Sequence, residues 1–154
     1  MIYLLRLVLL AALLSPTLAL SDAYRVQPGD LIRIALPGED ILREPYSVDR
    51  NGRIILPEVG AIYVGDKTED ALALQVATAL SAAFKDLTNL SVYVEERRKL
   101  INVLGYVEGP GEYILPAQGS LQMAIHAAGG LRNGAQLNRI QLIRDQKATV
   151  LDYK

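Results

Sequence analysis

The chain has 154 residues, with 16 Lys plus Arg against 17 Asp plus Glu and a net charge of −1. That length limits it to one domain or two very small ones, and without a basic excess it is not a general phosphate-backbone binder, so no nucleic-acid partner is expected. With no cysteine and a single histidine, His126, the sequence has nothing from which to build a disulfide, a thiolate or multi-His metal site, a catalytic thiol or a lipid-carrying Cys.

Residues 1–20 read MIYLLRLVLLAALLSPTLAL. Arg6 is the only charge, residues 7–14 are an unbroken apolar run, and Thr17-Leu18-Ala19 places small residues at both flanks of a cleavage site. This predicts a secretory signal peptide over residues 1–19, with Ser21-Asp22-Ala23 giving an alternative cleavage after residue 23. The run is shorter than the roughly 20 residues of a comfortable membrane span. Removing it leaves 15 basic and 17 acidic side chains, so the 51% apolar content overstates the core.

The remaining sequence opens on Tyr24-Arg25-Val26-Gln27-Pro28-Gly29-Asp30, where Pro-Gly is a turn signal. A strand follows at residues 31–36, with Ile32, Ile34 and Leu36 on one face. Arg50-Asn51-Gly52 lies between residues 46–49 and 53–56, which predicts a hairpin of those two segments. Pro57 and Gly60 close it, and residues 62–64 form a further short strand. Thr68 is an N-cap candidate, and Glu69 and Asp70 suit a helix's first turn. Leu72, Val76, Ala79, Leu80 and Ala83 then share one face of a helix to about residue 84. Residues 90–95 alternate as a strand. The charge run at residues 95–99 reads as a solvated turn and a boundary between units.

After it, a strand is expected at residues 101–107, a tight turn at Glu108-Gly109-Pro110-Gly111 and a return strand at 112–115. Ser120 caps a helix over residues 121–128, buried through Leu121, Ala124, Ile125 and Ala128 and ended by Gly129-Gly130. A final hairpin pairs residues 139–143 with 149–153. The pattern is α+β: two small sheet-plus-helix modules, at residues 20–97 and 98–154.

The catalytic inventory is thin. His126 falls off the buried stripe of its helix, as a surface histidine would. Asp30, Asp49, Glu58, Glu108 and Glu112 are the candidates for a paired-carboxylate glycan-cleaving site, but most of them occupy turns, where acidic residues serve local hydrogen bonds. The glycines are spaced as turns and caps, not as a nucleotide loop. No catalytic, cofactor or metal residue is therefore assigned. Only tyrosines could stack on sugar rings. Tyr63, Tyr93, Tyr106 and Tyr113 lie in or beside predicted strands, where Tyr is also common for packing alone.

The ordered motifs resemble a known family. Tyr24 to Ile34, with Pro28-Gly29-Asp30, followed by Asp49, Asn51-Gly52 and Pro57, resembles the bacterial polysaccharide export domain. Gly105, Pro110-Gly111 and Gly129-Gly130 in residues 98–154 resemble a soluble-ligand-binding β-grasp (SLBB) module, here short at its carboxy-terminal end. The resemblance implies a non-enzymatic, ring-forming homo-oligomer of the periplasm. It would pass a polysaccharide chain from an inner-membrane polysaccharide co-polymerase toward the outer membrane as part of capsule or exopolysaccharide export. Without the family's lipidated Cys or terminal amphipathic helix, it would need a separate outer-membrane barrel. A soluble glycan-binding module and a glycan-cleaving enzyme are the alternative readings.

Overall fold

The computed structural model describes residues 23–144 and 146–153, so the expected signal peptide lies outside the described residues. Strand β1 (Leu31–Ala35) is the centre of a three-stranded antiparallel sheet, between β2 (Tyr46–Ser47) and β5 (Ser91–Glu96). Strands β3 (Arg53–Leu56) and β4 (Gly60–Tyr63) form a separate hairpin. Helix α1 (Glu69–Leu80) packs with them. Strands β6 (Arg98–Val103) and β7 (Gly111–Pro116) form the next hairpin, helix α2 (Leu121–Ala127) follows, and β8 (Ile140–Arg144) pairs with β9 (Lys147–Leu151). The α+β class is as expected.

Alternation places the core. In β1, Ile32 and Ile34 are fully buried, and in β3 Ile54 and Leu56 are, while Arg53 and Ile55 face out. Leu72, Val76 and Leu80 recur at helical spacing in α1 and close the other side. Fully burying each such side chain contributes about 1.5–3 kcal/mol. The Thr68 hydroxyl accepts from the Ala71 N–H at 3.4 Å, so the expected N-cap forms. The helix stops at Leu80, which leaves Ala83 exposed instead of on the buried face.

Three local expectations are corrected. The Asn51-Gly52 turn exists, but it does not pair residues 46–49 with 53–56. The Asp49 carboxylate folds back onto the N–H groups of Asn51 and Arg53, each at 2.8 Å, and β2 is taken by β1. The turn thus redirects the chain from one sheet to the next, and β3 pairs with β4 across residues 57–59.

The charge run at residues 95–99 is not a turn. Leu31 pairs with Glu96 on one side and Arg98 with Pro116 on the other, so both ladders hold the segment extended, with only Arg97 between β5 and β6. The strand expected to reach residue 107 ends at Val103. Residues 104–110 form a loop whose Val107 is buried and bridges Leu131.

The second helix behaves as its sequence indicates. The Ser120 hydroxyl accepts from the Met123 N–H at 3.2 Å, and Gly130 donates its N–H to the Ile125 carbonyl at 2.9 Å as the helix ends. The β-grasp expectation finds no shared sheet: among the described residues, β6–β7 and β8–β9 each pair only within their own hairpin. Among the described residues, no helix is long and apolar enough to cross a membrane.

Candidate functional site

Pro28-Gly29-Asp30 is the joint where the amino-terminal part meets β6. The Asp30 side chain is completely buried, yet a buried carboxylate must be matched by donors. Three converge on it. Its Oδ2 accepts the Tyr24 hydroxyl at 2.6 Å and the Gln27 N–H at 2.8 Å, and its Oδ1 accepts the Arg98 N–H at 2.9 Å. Its backbone is held too, with Val48 N–H donating to the Asp30 carbonyl at 2.9 Å. The carboxylate therefore ties the opening turn to the first residue of β6, 68 positions away.

Glycine is required beside it by both conformation and space. Gly29 has φ +97°, and a Cβ there would sit 2.7 Å from the Leu100 backbone nitrogen. That absence of a side chain lets Leu100 N–H reach the Pro28 carbonyl at 3.2 Å. Above the joint, the Arg97 guanidinium lies 4.1 Å from the centre of the Tyr24 ring. The Tyr24 phenol pKa is pushed well above its ordinary value, by burial first and then by the hydrogen bond and negative charge of Asp30, with Arg97 opposing. A second tie crosses the surface, from Arg50 Nη2 to Glu112 Oε2 at 2.8 Å.

The other motif residues have identifiable structural work. Asp49 holds the Asn51 turn. The Gly52 carbonyl accepts from Val64 and Gly65 N–H at 2.8 and 2.9 Å, fastening the end of β4. Pro57 begins the β3–β4 turn, in which Glu58 takes φ +63°. Gly105 lies in the β6–β7 loop, Pro110 ends that loop, and Gly111 opens β7. Gly129 and Gly130 follow α2. The structure brings Pro28, Gly29 and Asp30 into the joint but distributes the other motif residues among separate turns.

Four of the five candidate carboxylates are engaged locally. Asp30 and Asp49 accept the local hydrogen bonds described above, Glu112 pairs with Arg50, and Glu108 Oε2 lies 3.5 Å from Arg132 Nε. Glu58 is at an exposed turn tip, and His126 is exposed at the end of α2. Among the described residues no group of three or more His, Asp or Glu is arranged to hold a metal ion.

The four tyrosines separate. Tyr113 is half-buried and its hydroxyl donates to the Gly109 carbonyl at 2.5 Å, a structural role. Tyr93, Tyr106 and Tyr63 are exposed, on β5, in the 104–110 loop and on β4. Sequence reasoning assigned no function to Tyr24, Arg97, Arg98 or Leu100, which complete the joint. The mixed charges of residues 95–99 suggested solvent; the signal that could have corrected this is the buried Asp needing a donor that its own turn does not supply.

Residues 19–95, which include the Pro-Gly-Asp turn, Asp49, the Asn-Gly turn and Pro57, match the family described as polysaccharide biosynthesis/export protein. The exopolysaccharide production protein ExoF of Rhizobium meliloti (strain 1021) is 30% identical over 151 residues, covering 87% of this chain and 36% of ExoF. The polysialic acid transport protein KpsD of Escherichia coli is 28% identical over 118 residues, covering 75% of this chain and 21% of KpsD. The chain thus spans between about a fifth and about a third of the length of these relatives. The match carries the Pro-Gly-Asp side of the joint, its flanking turns and the amino-terminal core, and the chain belongs to the polysaccharide biosynthesis/export protein family.

Proposed function

We propose that the protein is a periplasmic component of a capsule or exopolysaccharide export machine, in which copies assemble into a ring or adaptor that conducts the chain toward the outer membrane. The family match over residues 19–95 carries this reading. Residues 20–97 act as the export domain, and residues 98–154 as an SLBB-type module mounted on it through Asp30. A secretory leader at residues 1–19 takes the protein to the periplasm, where its partners are an inner-membrane co-polymerase and a separate outer-membrane barrel.

Two features support self-association. The carboxy-terminal part exposes Leu104, Tyr106, Ile143 and Val150, each more than 60% accessible, which a neighbouring subunit would cover. Charge is also unevenly divided. Residues 23–97 hold twelve acidic and eight basic side chains, and residues 98–154 hold four and seven. Opposite net charges at the two ends favour head-to-tail contact, which closes into a ring if the rotation permits.

Light scattering during size-exclusion chromatography, together with polysaccharide secretion in a deletion strain, tests the reading. A discrete oligomer and a secretion defect restored by the gene are expected. A strict monomer at high concentration with normal secretion in the deletion strain would overturn it.

A further inference from the structure

The outer face of the β3–β4 hairpin presents Arg53, Ile55, Ala61 and Tyr63, in which Arg53 lies opposite Tyr63 and Ile55 opposite Ala61. Its inner face is committed to the core through Ile54, Leu56 and Ile62. The hairpin is thus a fixed platform with one free side.

Tyr63 is held from beneath. A Cβ added at Gly52 would sit 2.9 Å from its Cε2, and one at Gly65 would sit 2.9 Å from its hydroxyl. The far end of the ring therefore lies against two glycine backbones, while about half of the residue, 49%, stays open to solvent. An aromatic side chain positioned in advance loses little freedom when a ligand arrives.

Arg53 beside it is exceptional among its neighbours. Every other arginine between residues 23 and 98 has a side-chain partner: Arg25 on the Asp66 carbonyl, Arg33 on Glu95, Arg43 on Asp40, Arg50 on Glu112, Arg97 on the Tyr24 ring and Arg98 near Glu96. Among the described residues, no hydrogen bond or ion pair engages the Arg53 guanidinium. An open aromatic ring and an unpaired guanidinium on facing strand positions offer two complementary contacts. One is a π surface for polarised C–H groups. The other is a planar fork of N–H donors suited to a carboxylate.

We propose that Tyr63 and Arg53 bind a carboxylated sugar unit of an acidic polysaccharide, its ring against Tyr63 and its carboxylate on Arg53. Ile55 and Ala61 extend the surface along the hairpin for the next unit. The proposal rests on the export reading above and specifies the substrate class, an anionic glycan held weakly enough to move on.

Nuclear magnetic resonance titration of the purified protein tests it, with an oligogalacturonate and a neutral glucan oligosaccharide of equal length as probes. The acidic probe should shift the Tyr63 ring and Arg53 side-chain signals, with an affinity that falls as salt rises. Tyr63→Ala should weaken binding roughly tenfold. Arg53→Gln, an exposed change that leaves the core intact, should weaken it by a similar factor and remove the preference over the neutral probe. No shift at either residue, or equal affinity for both probes, overturns the proposal. Secretion separates the two levels. A deletion strain that secretes normally sinks the export reading, whereas full restoration of a secretion defect by a gene carrying both substitutions sinks this site alone.

Discussion

The amino-terminal and carboxy-terminal parts of the molecule use similar elements to different effect. In residues 23–96, two small sheets and a twelve-residue helix enclose one cluster of twelve buried apolar side chains. Among the described residues of 98–153, the helix is seven residues long and only Val107, Leu115, Ile125 and Ala128 are buried apolar residues, while Ile143 and Val150 of the last hairpin are 68% and 62% accessible. The difference is one of closure. The first part closes a large apolar cluster, with Ile55 and Leu74 left at its surface; the second closes a small one and is tied to the first through Asp30.

The largest test of that contrast compares two isoleucines. Ile54→Ala removes a side chain with no solvent exposure and should cost about 3–4 kcal/mol in denaturant unfolding. Ile125→Ala, at the edge of the smaller cluster, should cost only about 1–2 kcal/mol. Equal costs would break the comparison. Asp30→Ala falls between them, at about 3 kcal/mol, because it leaves the N–H groups of Gln27 and Arg98 and the Tyr24 hydroxyl without their acceptor. Hydrogen exchange should accelerate first at Arg98 and Leu100, and unchanged protection there would mean the carboxylate does not join the two parts.

Alkaline pH sharpens the same point. The Tyr24 pKa in the folded protein is raised above its ordinary 10.0, so its contribution to stability is fully present below pH 10 and is lost as pH rises beyond that. Ionising the phenol would set it against Asp30. Tyr24→Phe should flatten the fall of stability above pH 10, leaving the smaller slope from Tyr46, whose pKa is also raised by burial and by Glu44. The smallest expected effect is at the second tie. Arg50 and Glu112 are 66% and 38% exposed, so a double-mutant cycle with Arg50→Gln and Glu112→Gln should give no more than about 0.5 kcal/mol.

Periodicity and capping were legible in the sequence because they are local. The faces of β1 and α1, the Thr68 and Ser120 caps and the last hairpin all follow from neighbouring residues. Pairing was not, because it depends on distant competitors. Asn51-Gly52 signals a turn correctly, yet whether residues 46–49 pair with 53–56 is decided by β1, which takes Tyr46 and Ser47 first. The charge run at 95–99 misled for the same reason: ladder partners at Leu31 and Pro116 hold it extended, with Glu95, Glu96 and Arg97 exposed and Arg98 and Lys99 partly buried. At the joint, Pro28-Gly29-Asp30 could be recognised as a motif, but its partners Arg98 and Leu100 lie about 70 positions on and carry no mark of the role. Of the tyrosines, chain position alone could not separate Tyr113, spent on a turn, from Tyr63, seated on two glycines.

The ladder between β1 and β5 sets an order of events for the growing chain. Strand β1 is the centre of its sheet, but one of its two partners is not made until residues 91–96. Until then its apolar face has no β5 beside it, and Asp30 lacks its donor from Arg98. Such distant closure slows folding, since loop entropy must be overcome before the contact is gained. A chain halted near residue 90 would therefore carry an unpaired strand edge next to an unsatisfied acid. Arrival of the next ten residues completes the sheet and seats the carboxylate almost together, so a turn at the start of the protein finishes forming only after its middle has been made.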